Sequence, residues 1–543
     1  MKKRKKTVVS AVTFIALAMV FAGCGSNEKK EQASSSSTTP SASESATKAN
    51  TKQLTLNVSW MGIKDGFDAS GAKDDAIFND LQKKFNITVN PVQVTWNDWQ
   101  DKAKVWAASS QLPDIFPNVI AVENPSLYAS WAKQGVIKAL PDDLSKYPNI
   151  AKIMKLPSVQ PLKVDGKFYM VPRMTYNDSS DWVMDRAIVY RKDWAAQAGF
   201  TSEPKSFDEF VAMIKAVQKQ HPGTVGIALQ NKSFLNTIFL SSFPEMSNSK
   251  SWTNEGGKWM PSYASSKTVD GIKQLRQLYS EGLLDKDFGI QKEGDGFTKF
   301  MNGQAFISFG SSFFGTAANV DTFKKANPGV KVADAVGFMN IWPAADGNRY
   351  SFVETPYWSE IFFSNKLDDA KFDRALQLID YMASEEYDAL TRNGIQGVDY
   401  KIEGGKALSL LNADDSLKKK YPITDAMGAL ASWRGGFYKA GKVVVNSNPD
   451  VAAWESYDHD TFVKLKKENK PAPINFDVML MTTPAKDKLG AFYSGAQDDL
   501  IKVILGKDDP VKMWQEAIKS YDAKGLQEAI AEVNAKAKEL GIK

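Results

Sequence analysis

The sequence predicts an α/β protein with enough chain for two lobes. Along the chain, apolar alternation of strand period gives way repeatedly to helical periodicity, the rhythm of a parallel sheet with crossover helices. About 490 residues follow a polar N-terminal tract, more than a single core of ordinary size needs.

The first strand is LTLNVSW (54–60), where Leu54, Leu56, Val58 and Trp60 alternate with polar residues. DDAIFNDLQKKF (74–85) reads as an amphipathic helix and ITVNPVQV (87–94) as a second strand. Thr95 and Asp98 have capping-box spacing, so a helix starts there, with Trp99, Ala103, Trp106 and Ala107 on roughly one face. SSQLPDIF (109–116) leads into another short apolar run. KFYMVPR (167–173), RAIVYRKDW (186–194) and QAFISFG (304–310) are further strand candidates. SFDEFVAMIKAVQKQHPG (206–223) is a helix opened by Ser206 with Glu209 three residues on and closed by Pro-Gly; TVDGIKQLRQLYSEGLLD (268–285) is another. Residues 508–540 read as two helices split near Gly525.

The ends carry their own chemistry. Five charges (Lys2, Lys3, Arg4, Lys5, Lys6) precede an uncharged, mostly apolar run from Thr7 to Ala22, the pattern of a secretory signal. That run falls short of the roughly 20 apolar residues a membrane span needs, and no later stretch reaches it. Phe21-Ala22-Gly23-Cys24 resembles a bacterial lipobox, with Phe21 where Leu is usual, which implies cleavage before Cys24 and a lipid on its sulfur. The plainer reading is an incidental or buried cysteine. Residues 25–52 lack aromatics and large aliphatics and read as a Ser-rich tether. Removing residues 1–23 takes away five positive charges, so the formal net charge goes from +5 to 5 − 5 = 0 and nothing points to a nucleic-acid partner. With one cysteine and two histidines, His221 and His459, disulfides and multi-histidine zinc sites are excluded.

Several blocks, in order, resemble bacterial extracellular solute-binding proteins of carbohydrate ABC importers, within the large lipoprotein branch that binds oligosaccharides. They are LPDIF (112–116), YPNIAKIM (147–154), VYRKDWAAQAGF with PKSFDEF (189–210), LYSEGLLD (278–285), FTKFMNGQAFISFG (297–310) and RNGIQGVDYK (392–401). The resemblance implies a periplasmic-binding-protein-like fold: two α/β lobes joined by crossing hinge strands, closing on a ligand. The expected division is a signal peptide (1–23), a tether (24–52), one lobe from 53–172 and 347–395, and a second from 173–346 and 396–543. It also implies transmembrane importer subunits as partners, a lipid-anchored place on the extracellular face of the cell membrane, a monomer, no cofactor and no catalysis. Some relatives carry a calcium loop after the helix that here ends in KQHPGTVGIAL (219–229), which has no carboxylate, so no calcium is expected there.

A sugar offers apolar C–H faces to aromatic rings and hydroxyls to polar side chains. In open α/β sheets such sites lie outside the carboxyl ends of strands. The candidates are therefore Trp60, which ends the first strand; Tyr176, Asp178 and Trp182 in a polar loop; Phe309 and Phe313 after another strand; Tyr357 and Trp358 at the proposed lobe crossing; and Trp433 and Arg434 before two glycines. Asp114 and Asn118 join them because similar positions in the family line the cleft. Each is weighed against an ordinary role at the core edge. The helix-borne Trp106, Trp194 and Trp514 read as core. DHD (458–460) is a poor metal site, because neighbours in a strand point apart. Two rival functions remain: a peptide-binding lipoprotein of the same shape, and a secreted glycosidase, which needs two positioned carboxylates.

Overall fold

Strands form where the alternation begins. The computed structural model describes residues 52–60, 74–95, 98–175, 186–239, 241–246, 250–292, 294–311, 317–353, 356–412, 415–428, 430–431 and 444–542. In chain order the first twelve strands are β1 (Leu54–Trp60), β2 (Ile87–Gln93), β3 (Ile115–Asn118), β4 (Met170–Met174), β5 (Arg186–Arg191), β6 (Val225–Leu229), β7 (Trp252–Glu255), β8 (Lys258–Pro261), β9 (Ala305–Ser311), β10 (Val336–Met339), β11 (Tyr350–Ser351) and β12 (Tyr357–Phe363).

Two sheets organise the chain. The first has the order β2-β1-β3-β12-β4, with β1 parallel to β2 and β3 and with β12 antiparallel to both its neighbours. The second has the order β10-β5-β9-β6; β6 and β9 run parallel while β5 opposes β9 and β10. Each sheet has its own core. Leu56, Val58, Ile115, Phe116, Ile361 and Phe362 belong to one. The second sheet is covered on both faces, Ile188, Ile227, Leu229 and Ile307 facing one cluster and Ala187, Val189, Ala228 and Phe338 the other. The fold is thus a two-lobed α/β architecture. β12 enters the first sheet after the chain has built the second, so one connection returns between the lobes.

Local chemistry explains the helix starts. Asp75 caps the helix Ala76–Lys84 by accepting from Phe78 N, and Ser206 caps Phe207–Gln220 by accepting from Glu209 N. The helix expected from residue 95 starts later, at Trp99, because Asp98 Oδ1 accepts from both Thr95 N (2.7 Å) and Thr95 Oγ1 (2.9 Å) and becomes the cap itself. The terminal pair Pro510–Ser520 and Leu526–Glu539 is split at Gly525, whose φ of 91° suits only glycine. Asp75 does a second job. Fully buried, it also accepts from Ile423 N, Thr424 N and Thr424 Oγ1 at 2.7–3.0 Å. That bond set seats Tyr421, Ile423, Met427, Leu430 and Ala431 in the first core, although the expected division puts everything after 396 in the second lobe.

Candidate functional site

The carboxyl ends of β1, β2, β3 and β4 meet the start of β12 at one edge of the first sheet, with Asn118 opposite Glu360 and Met174 opposite Tyr357. An indole cluster sits there. Trp99, at the start of its helix, packs with Val94 and Val119, and Trp106 and Trp358 lean on that group half-buried. The Trp99 and Trp358 rings are 5.7 Å apart. The Arg173 guanidinium lies 5.2 Å from the Trp358 ring centre, and its Nη1 donates to Ser359 Oγ at 2.6 Å. Asn118 holds the edge together: its Oδ1 accepts from Val119 N at 3.0 Å and its Nδ2 donates to Trp99 O at 3.4 Å.

Electrostatics here are set by burial. Arg173 has no exposed surface, and desolvation pulls its guanidinium down to about 9, a pull that any charge on nearby Glu360 opposes. Glu360 is equally buried; desolvation holds its carboxyl well above the carboxylate range, although Oε2 accepts from Ala121 N at 3.2 Å.

The second sheet presents the matching edge. Phe309, near the end of β9, and Arg186, at the start of β5, line a pocket that is partly open to solvent, with Tyr350 and Phe352. The Arg186 guanidinium lies between two rings, 4.3 Å from Phe352 and 4.9 Å from Phe234. A larger hollow of about 650 Å³ lies where the lobes meet, between Glu123, Asn124 and Ser126 on one side and Lys250, Met481 and Tyr493 on the other.

The expected residues divide sharply. Trp358 lies half-buried at the first edge with Asn118 behind it, and Phe309 lies at the second, but Asn118 (1% exposed) and Phe309 (3%) are as inaccessible as core residues. Trp60 is only 1% exposed and belongs to the first core, and Tyr357 is likewise buried, its Oη donating to Ser158 O at 3.2 Å. Asp114 precedes β3, at the opposite end from Asn118, and clamps β1 by accepting from Asn57 N at 2.8 Å. Cys24, Tyr176, Asp178, Trp182, Phe313, Trp433 and Arg434 lie outside the described residues. Trp194 and Trp514 are core residues, as expected, whereas Trp106, expected in the core with them, stays half-buried at the rim of its cluster. Residues 458–460 lie in the helix Pro449–Glu468, not in a strand, with His459 Nδ1 3.4 Å from Asp460. Among the described residues no group of three or more His, Cys, Asp or Glu could hold a metal. At the helix end without carboxylates, His221 stacks on Trp194 at 4.1 Å, and the Arg191 guanidinium is 4.2 Å from the same indole. Sequence reasoning missed Trp99, Arg173 and the Glu123–Lys250 pair. The seven-residue spacing of Trp99 and Trp106 on one helix was the available signal for the indole cluster.

Comparison with known proteins agrees with this architecture. The family model described as bacterial extracellular solute-binding protein matches residues 76–398. Among curated proteins, the polygalacturonan/rhamnogalacturonan-binding protein YtcQ of Bacillus subtilis (strain 168) is 23% identical over 516 residues, covering 92% of this chain and 91% of that protein. The fructooligosaccharide ABC transporter substrate-binding protein FusA of Streptococcus pneumoniae serotype 4 is 27% identical over 218 residues, 36% of this chain and 40% of that one. The crystal structure of the alginate-binding protein AlgQ2 without calcium ion superposes with a TM-score of 0.65 at 19% identity, over 89% of this chain and 97% of that one. With a sequence model spanning more than half its length and a two-lobed fold shared with solved relatives, the chain belongs to the bacterial extracellular solute-binding protein family.

Proposed function

We propose that this protein captures an oligosaccharide between its two lobes and delivers it to the transmembrane subunits of an ABC importer, without catalysis. The observation that carries the reading is the indole cluster at the first sheet edge. Trp106 and Trp358 keep part of their rings accessible, while Trp99 and Asn118 fix them from behind. Flat apolar faces with polar neighbours suit the C–H faces and hydroxyl edges of a pyranose or furanose ring. The names of the relatives support the class: YtcQ binds polygalacturonan or rhamnogalacturonan, FusA fructooligosaccharides and AlgQ2 alginate.

In this reading the first lobe comprises residues 53–172 and 347–395 together with the segment around 417–431. The second comprises the remainder of 173–543. Residues 1–23 are removed, Cys24 carries the lipid, and residues 24–52 tether a monomeric binding body to the outer face of the membrane. Tyr176, Asp178, Trp182, Phe313, Trp433 and Arg434 stay candidates for ligand contact.

A thermal-shift screen tests the function. Oligosaccharides from pectin, alginate and fructan, with a peptide panel beside them, are each added in excess. A ligand that binds only the folded state raises the melting temperature, by an amount corresponding to about 2.7 kcal/mol at a hundredfold excess over Kd. Stabilisation by a sugar, with no product released on prolonged incubation, supports the reading. Stabilisation by peptides alone, or release of cleaved sugar, overturns it.

A further inference from the structure

The geometry points to a built-in latch between the lobes, made by residues 478–487 of the second lobe together with the Glu123–Lys250 ion pair, that biases the lobes toward contact before any ligand arrives. The inference concerns lobe contact and does not depend on which ligand binds.

The helix Phe476–Leu480 straddles both cores. Val478 and Met481 are buried in the core of the second lobe, while Leu480 packs against the core of the first. Lys486 makes that segment rigid. Its side chain is buried, and its ammonium donates to Val478 O (2.8 Å), Met479 O (2.7 Å) and Met481 O (2.5 Å). Three donors meet three acceptors, including carbonyls from the end of a helix that have no partner within it. The turn from 478 to 486 is thereby stapled to the second lobe and carries Leu480 toward the first.

Two polar contacts flank it. Asp487, beside the staple, accepts from Ser126 Oγ at 2.8 Å. Lys250 Nζ lies 2.9 Å from Glu123 Oε2, both side chains about one-third exposed. Ser126 and Glu123 sit on short helices whose Ile120, Ala121, Tyr128 and Trp131 lie in the first core; Lys250 is followed by Trp252 and Asp487 by Leu489, both in the second. Each contact therefore runs from one core to the other. All of them border the 650 Å³ hollow between the lobes, so separating the lobes breaks them and opens the hollow. A ligand that fits only the closed arrangement meets a protein already biased toward it.

Two experiments test the latch on the full-length chain with Cys24→Ser, which leaves no native thiol. First, Ser126→Cys with Asp487→Cys is expected to form an intrachain disulfide in the ligand-free protein under mild oxidation, and a pair that stays reduced overturns the proposal. Second, Met481→Cys, in the wall of the hollow, reports opening through its rate of reaction with a bulky maleimide. Lys250→Ala is expected to raise that rate about fivefold, and Ser126→Ala with it about tenfold, as for the loss of a surface ion pair and then a hydrogen bond. High salt should raise the rate in the parent and leave the Lys250→Ala protein unaffected. Both substitutions are at the surface, so unchanged melting temperatures exclude general loosening. Equal labelling rates at equal melting temperatures overturn the latch.

Discussion

The edges of the two sheets use aromatic residues in opposite ways. At the first edge, indoles pack on one another and leave Trp106 and Trp358 half-buried. At the second, Phe309, Phe234 and Phe352 are all nearly inaccessible, and Phe234 and Phe352 flank the Arg186 guanidinium. The difference teaches that position after a strand is not enough to make an aromatic a ligand platform. The first edge is shaped to be touched from outside; the second spends its rings on holding a cation in place.

Substitution of Trp99 and Trp358 tests the comparison most strongly. Trp99 is 5% exposed and underlies the cluster, so Trp99→Ala should cost about 3–5 kcal/mol of stability in denaturant unfolding. Trp358→Ala, at a half-buried position, should cost less than half of that but weaken the binding of the identified oligosaccharide about tenfold or more by calorimetry, through loss of a stacking face. If Trp358→Ala destabilises as much as Trp99→Ala and leaves affinity unchanged, the first edge is ordinary core. At the second edge the expected pattern reverses. Phe309→Leu should lower stability by about 1 kcal/mol through imperfect repacking and change affinity less than twofold.

Much of this architecture was legible in the residues. Leu54 to Trp60 alternates because one strand must face two environments, and Ser206 with Glu209 marks a helix start whatever surrounds it. Such signals are local. The site was less legible because its contacts are not local. Trp99 meets Trp358 only after the chain has built the whole second sheet, and Glu123 meets Lys250 only when two separate cores come together. Trp60 misled for the same reason: the end of a strand looks exposed in sequence, but helices packed over the sheet bury that ring. Asp114 misled through a four-residue strand, which puts its two ends on opposite edges, roughly 10 Å apart or more.

The two edges should also respond oppositely to pH. At the first, burial raises the Glu360 carboxyl well above the usual carboxylate range and so favours its protonated form. Its folded form keeps a proton that the unfolded chain releases near pH 4.3, so its stabilising contribution is present below that pH and is lost as pH rises toward its folded value. Glu360→Gln should therefore flatten the fall in stability from pH 4 upward. At the second edge, Tyr350, which lines the pocket, donates to Asp346 Oδ2 at 2.5 Å. That bond, followed by those from Asn348, brings Asp346 down to about 2. Here the contribution is complete above roughly pH 4 and disappears as pH falls toward 2. Asp346→Asn should remove that acid-limb slope and lower stability in the neutral range by the same small amount, small because the carboxylate is solvent-exposed and its bonds are screened. Urea unfolding of both variants from pH 2 to 8 reads the two slopes. Slopes of the same sign would mean that the carboxyls at the two edges share one electrostatic environment, and the contrast between a buried carboxyl at one edge and an exposed one at the other would fail.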